Sequence, residues 1–258
     1  MKITFLGSGS AWVTAEENYH SNIIIESNGK KLLYDCGTTI QESLKNLNIK
    51  PQDIDSIFIS HLHSDHSGGI EFIAFYNYFN QYPFGIRKPT LISTKELLDN
   101  GWGHSWSAGL KSLSDKDAEL SEYFKVKKVN KSFTFENLKI EIVPTKHAGK
   151  MKSYGIFITD KETNKKVYIT SDTSTIITKD KEKYYKNASI IFHDCEFADY
   201  NNSVHTQFRF LKELPNEIKG KMWLYHYSLK GIHIWNYDNL VEENGFLGVV
   251  RRGQQWIQ

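Results

Sequence analysis

The sequence predicts one α/β domain made of two similar strand-rich halves. Two observations carry this. Short apolar, β-branched runs bounded by turn residues recur in both halves and alternate with segments of helical spacing. No Pro/Gly/Ser linker, low-complexity tract or short repeat divides the 258 residues, a length that suits one substantial domain, 1–258.

In the first half, residues 3–6 form an apolar run that stops at Gly7-Ser8-Gly9-Ser10. Ile23-Ile24-Ile25 is a β-branched strand, and Asn28-Gly29 turns it into residues 31–35. An Asn-Gly pair between apolar runs supplies the left-handed backbone that a tight hairpin needs. Residues 38–47 carry Ile40, Leu44 and Leu47 at helical spacing, Pro51 closes that segment, and residues 56–60 read as a short buried strand. In the second half, residues 133–143 predict paired strands, and 154–159 with 166–170 a hairpin turning at 161–165. Residues 189–192 predict a strand, 206–214 a helix stopped by Pro215, and 222–225 the last buried strand. Residues 71–124 read as an elaboration between the halves. It opens with an aromatic-rich helix over 71–79, with Phe72, Phe75, Tyr76 and Phe79 near one face. Gly101-Trp102-Gly103-His104-Ser105-Trp106 and a polar stretch, 112–123, follow.

Hydrophobic residues make up 40% of the chain and charged residues 24%, as in ordinary soluble proteins. There is no run of 18 apolar residues, and residues 1–6 lack the regions of a signal peptide, so a cytoplasmic protein without a membrane partner is expected. Cys36 and Cys195 make no disulfide framework and are expected as free, buried thiols. A net charge of +2 advertises no nucleic-acid surface, and Lys125–Lys128 and Arg251-Arg252 read as solvated faces.

The chemistry concentrates in His61-Leu62-His63-Ser64-Asp65-His66, directly after the strand at 56–60. Imidazoles two apart on an extended chain point the same way. Asp65 and His66 follow as the chain turns, and Gly68-Gly69 is expected to permit a sharp bend into the next helix. Four metal ligands thus converge within six residues, and imidazole with carboxylate suits zinc.

His61-x-His63-x-Asp65-His66 resembles the signature of the metallo-β-lactamase superfamily. Asp35-Cys36-Gly37, His147 after Ile142-Val143-Pro144, Asp172 after residues 168–171, and His226 after residues 223–225 match its other motifs in order and in strand-end placement. The resemblance implies a four-layer αββα sandwich with two divalent metal ions at one edge. It implies His61, His63 and His147 on one ion, and Asp65, His66 and His226 on the other. Asp172 would bridge them, and Asp35 would orient a ligand from behind. Two cations acidify a bridging water, giving a hydroxide nucleophile that Asp65 orients. Flavodiiron members usually carry a glutamate where this chain has His63, so zinc is expected rather than a redox iron pair, with manganese the alternative.

Residues 4–11 resemble the N-terminal strand and glycine loop of the ribonuclease Z branch, where glycines allow close approach of backbone to a ligand. His193-Asp194-Cys195-Glu196-Phe197 with Val204-His205-Thr206 resembles the acidic loop and histidine loop of the same phosphodiesterases. The resemblance implies that His205 protonates the leaving oxygen and that Asp194, or Glu196 in its place, keeps it charged. The competing reading is that Asp194 and His205 only cap the helix at 206–214. This chain lacks the long Gly/Pro-rich arm with which many ribonuclease Z enzymes grip transfer RNA, and Leu229-Lys230-Gly231 stands where an arginine and a tyrosine are often found. The expected substrate is therefore a small phosphodiester, such as a cyclic nucleotide or short oligonucleotide, as well as RNA. Two alternatives stay open: a carbonyl hydrolase for a lactone, thioester or β-lactam, and a metal-bound binding or cofactor-pathway protein. Trp102, Trp106 and the stripe at Phe72, Phe75, Tyr76 and Phe79 read as core or a homodimer face, with base stacking as the other option. His20, His104, His193 and His233 carry no assigned role, and His20 reads as a surface residue that could approach the site.

Overall fold

A computed structural model describes residues 1–14, 16–113, 116–201, 203–228 and 235–257. His233, which carries no assigned role, and Leu229-Lys230-Gly231 lie outside the described residues. Each half folds as predicted around a sheet. The first sheet contains β1 (Lys2–Phe5), β2 (Ile23–Ser27), β3 (Lys30–Tyr34), β4 (Ser56–Phe58), β5 (Thr90–Ser93) and β6 (Lys125–Lys128). The second contains β7 (Ser132–Phe135), β8 (Leu138–Thr145), β9 (Ser153–Asp160), β10 (Lys166–Ile169), β11 (Ile190–Asp194), β12 (Met222–Tyr225) and β13 (Gly248–Val249). A last strand, β14 (Gln255–Ile257), returns to the first sheet beside β1. The orders are β14-β1-β2-β3-β4-β5-β6 and β13-β12-β11-β10-β9-β8-β7.

The two-residue period of a strand explains the layers. Ile23 and Ile25 face the space between the sheets, with Leu32, Tyr34, Phe58, Ile140, Ile156, Ile169 and Phe192. Ile24, Leu33 and Ile57 point the other way, onto Leu44 of the helix Ile40–Asn46 and Ile73 of the helix Ile70–Phe84. On the second sheet, Tyr168, Ile191 and Leu224 point outward onto Leu211, Ile218 and Val241. Strands buried on both faces need continuous apolar runs, and the sequence has them. The result is the αββα sandwich. Among the described residues no helix is long and apolar enough to cross a membrane.

The Asn28-Gly29 turn forms as expected, with both residues at positive φ, and both cysteines are free and buried. Several expectations need correction. The helix at 206–214 shrinks to Phe208–Leu211, and the one at 71–79 extends to Ile70–Phe84. Lys125–Lys128 is solvated because it is the exposed edge strand β6; edge lysines discourage pairing with another chain. The block 71–124 supplies β5, a parallel strand between β4 and β6, which the sequence reading did not place. Trp106 is buried in the core, so it cannot stack on a base. Phe72, Phe75 and Trp102 pack partly on the same cluster, and Phe79 is 63% exposed.

Phe5 locks the sheets together, its ring touching Phe192, Tyr225 and Trp256 at centroid distances of 5.0, 5.5 and 5.3 Å. Phe5→Ala is expected to cost about 3–5 kcal/mol by leaving a cavity between the layers, read by urea denaturation; a loss within experimental error would contradict this packing.

Candidate metal centre

In open sheets with parallel strands, sites gather at the carboxyl ends of the strands. Here β3 parallels β4 and β10–β11–β12 run parallel, so Asp35, His61, Asp172, Asp194 and His226 all leave the sheets at the same edge. His147 arrives from the end of β8, where Thr145 Oγ1 donates to the Asp172 carbonyl at 2.8 Å. Three of these turns carry a non-glycine residue in the left-handed region: Asp35 (φ 64°), Ser171 (φ 54°) and His226 (φ 62°). Each such residue costs roughly 1–3 kcal/mol and persists only where surrounding contacts hold it.

Asp35 shows what holds it. Its Oδ1 accepts from the Ser60 amide at 2.7 Å, and its Oδ2 from the Ser60 hydroxyl and His66 Nδ1, both at 2.8 Å. The Cys36 amide donates to the His66 carbonyl at 2.7 Å. Gly37 completes this docking, since a Cβ there would overlap the Asp65 carbonyl oxygen. Gly68 and Gly69 form the expected turn between the helices Ser64–Ser67 and Ile70–Phe84, at ordinary negative φ that other residues also adopt. Gly69 is small because a Cβ would press on the Gly37 carbonyl. Gly7, expected to admit a ligand, instead admits the chain's own Tyr19-His20 backbone.

The seven ligand candidates fall into two donor sets that share Asp172: His61, His63, His147 and Asp172, and Asp65, His66, Asp172 and His226. In the first, His63 Nδ1 lies 3.2 Å from His61 Nε2 and 3.0 Å from His147 Nε2, and Asp172 Oδ2 lies 3.6 and 3.5 Å from the same two nitrogens. In the second, His66 Nε2 lies 3.2 Å from His226 Nε2, from Asp65 Oδ2 and from Asp172 Oδ1. A tetrahedral zinc ion with bonds of about 2.0–2.1 Å to nitrogen has donor–donor edges of roughly 3.3 Å, which both sets match.

The tautomers agree. His66 donates from Nδ1 to Asp35, His147 from Nδ1 to the Val204 carbonyl at 2.8 Å, and His61 from Nδ1 to the Ser60 hydroxyl at 3.0 Å, whose own proton goes to Asp35. Each therefore turns a bare Nε2 lone pair inward, where lone pairs repel unless a cation lies between them. Among the described residues, Asp172 Oδ1, which is buried, accepts no hydrogen bond. Asp35, Asp65, Asp172 and Asp194 are all buried, a concentration of negative charge that demands compensation. Burial pushes the His61, His63 and His147 imidazoles down, toward the neutral form that binds metal. Burial opposes charge on His226 too, yet the surrounding carboxylates, Asp172 first, raise it to about 10. The donor sets fit a dinuclear metal site.

Asp194 is the partner of His205: its Oδ2 lies 3.1 Å from His205 Nδ1 and accepts from the Thr173 amide at 2.9 Å, and its Oδ1 lies 3.4 Å from His226 Nδ1. Glu196 instead accepts from the Ala198 amide. Neither Asp194 nor His205 caps the helix Phe208–Leu211, whose N-cap is Gln207. Burial would lower His205, but the Asp194 charge and hydrogen bond outweigh it and hold the ring above the usual imidazole value. His205 is half-buried, Nδ1 3.9 Å from Asp172 Oδ2.

Sequence reasoning missed Ser60, whose hydroxyl links Asp35 to His61, and misplaced His20. His20 is buried beside the site, against Thr38 and Thr39, and burial lowers it to about 4. Its only signal was its position just before β2. His193 is buried against Tyr185 and the Asp194 carbonyl, and His104 is exposed, so neither joins the site.

The fold is that of a metallo-β-lactamase-fold protein, and its donor sets fit a dinuclear metal site. Solved structures agree: the metallo-β-lactamase fold protein YhfI from Bacillus subtilis superposes with a TM-score of 0.76 at 19% identity, covering 99% of this chain and 98% of that one. The short form of human tRNase Z (ELAC1) gives 0.71 at 18% identity, covering 100% and 99%. More particularly, the family described as anti-Pycsar protein Apyc1 matches residues 1–256, and the chain belongs to that family. The anti-Pycsar protein Apyc1 of Bacillus phage BSP38 is 34% identical over 237 residues, 88% of this chain and 89% of that protein. The one from Bacillus phage 010DV004 is 32% identical over 268 residues, 100% and 98%.

Asp35→Asn is expected to weaken metal binding roughly 10- to 100-fold, measured by competition with a chromophoric chelator, because it removes the acceptor that sets the His66 tautomer. Unchanged affinity would separate Asp35 from the centre.

Proposed function

We propose that the chain is a dinuclear-metal phosphodiesterase acting on a small nucleotide phosphodiester, a cyclic nucleotide foremost, and that it shares the role stated in its relatives' name, anti-Pycsar protein. One observation carries the reading: the Asp194–His205 pair standing beside the two donor sets. A binding protein, or a thioester hydrolase whose thiolate departs unprotonated, has no use for a charged imidazole there. An alkoxide leaving group has, because it is too basic to depart unprotonated. The bound ions, which we take as zinc, supply an acidified water and polarise the phosphoryl group.

The chain's own residues do the rest. Asp65 orients the attacking water from the metal side. His205 donates its proton from Nε2 to the departing oxygen, since Nδ1 is engaged by Asp194. Asp194, fixed by the Thr173 amide, keeps the ring charged and aimed. The small substrate is supported by the missing RNA-gripping arm.

The test compares two leaving groups on zinc- and manganese-loaded protein. Asp65→Ala is expected to abolish turnover of both bis(p-nitrophenyl) phosphate and a cyclic nucleotide. His205→Ala is expected to slow the cyclic nucleotide by about 10²–10⁴-fold and the p-nitrophenyl ester far less, since p-nitrophenolate leaves without a proton. Metal-loaded protein that cleaves a lactone or thioester but neither phosphodiester would overturn the proposal.

A further inference from the structure

Loop 146–152 joins β8 to β9 at the edge where the metal ligands gather, and it carries one of them, His147. Both ends of the loop are fastened to the backbone of the shared ligand. Thr145 and Ser153 are partners across the two strands, and the hydroxyl of each donates to the Asp172 carbonyl, at 2.8 and 3.4 Å. The Lys146 carbonyl accepts from the Ser174 amide at 2.6 Å and from the Ser174 hydroxyl at 3.0 Å. The His147 ring lies 5.1 Å, centroid to centroid, from His205. The loop is therefore seated on the centre, on the side of His205.

Its charge is one-sided. Lys146, Lys150 and Lys152 place three cations in seven residues, and all three are exposed. The chain carries no carboxylate from Ile142 to Thr159. Among the described residues none of the three forms an ion pair, whereas Lys30, Lys128 and Lys183 elsewhere on the surface pair with Asp55, Asp99 and Glu141. The Met151 amide donates to the Ala148 carbonyl at 2.9 Å with Gly149 at φ 53°, a reversal that sets Lys150 at the turn. Three residues of chain reach no further than about 11 Å, so the Lys150 backbone stands within roughly one Debye length of His147 at 0.1 M salt. Lys146 is its immediate neighbour. Lysines of one sign at such a distance are screened only in part, and they raise the local concentration of anions.

We propose that loop 146–152 is the anion-capture element of this centre: Lys146, Lys150 and Lys152 draw the negatively charged diester to the metal ligands. The assignment rests on the phosphodiesterase reading and adds the residues that bring an anionic substrate to the site. Capture of this kind acts on encounter. It shows in kcat/KM and in the salt dependence of kcat/KM, and it leaves the chemistry of the bound diester to Asp65 and His205.

The experiment measures hydrolysis of thymidine 5′-(p-nitrophenyl phosphate) by zinc-loaded protein at low and high sodium chloride. Wild-type kcat/KM should fall as salt rises. The combined variant Lys146→Gln, Lys150→Gln and Lys152→Gln should lose about three- to tenfold in kcat/KM at low salt, with kcat within about twofold of wild type, and the gap should close at high salt. The corresponding Lys→Arg variant keeps the charge and should keep the wild-type rate and salt slope. Zinc content checks that the loop still delivers His147; if the triple variant loses zinc, Lys150→Gln with Lys152→Gln replaces it. If wild type turns over and the zinc-replete Gln variant keeps the wild-type kcat/KM and salt slope, the capture loop is wrong and the phosphodiesterase reading stands. If wild type cleaves no phosphodiester, both fail together.

Discussion

The structure depends on one electrostatic constraint: four buried carboxylates and six imidazoles brought to the same sheet edge. Buried charge of this density is tolerable only with compensating charge in the middle of it. The imidazole lone pairs of His61, His66 and His147 face that middle because Ser60, Asp35 and the Val204 carbonyl hold their other nitrogens. The orphan oxygen of Asp172 faces it too. The centre is therefore built from outside inwards: the surrounding hydrogen bonds choose the tautomers, and the tautomers choose a cation.

The fold supplies the same constraint in its backbone. Parallel strands end together, and the residues just past those ends must turn sharply to aim at one point. Asp35, Ser171 and His226 do so in the left-handed region without being glycine. The strain is local, and the hydrogen bonds around each site absorb it. His226, for instance, is pinned through its amide to the Ser8 carbonyl, which is the service that the Gly7-Ser8-Gly9 loop performs.

Sequence made the layers legible wherever a period was unbroken, as in Ile23-Ile24-Ile25, where alternate residues enter different cores. The His61–His66 ligands were legible because they are contiguous. His147, Asp172 and His226 are single polar residues after unremarkable strands, and only the joint resemblance to a family singled them out. The strand β5 was hidden because four residues carry no period, and Ser60 because a serine beside a metal loop looks like any other. His20 was read as surface because nothing local announces that Thr38 and Thr39 will cover it.

The central claim is that the two donor sets each hold an ion and that Asp172 belongs to both. Anomalous diffraction from crystals grown with zinc, collected on either side of the zinc edge, tests it most directly. Two peaks per chain, one within His61, His63 and His147 and one within Asp65, His66 and His226, with an Asp172 oxygen on each, is the result the account predicts. One peak, or none, with the same side chains in the same places and with Asp172 bound to neither, would contradict it.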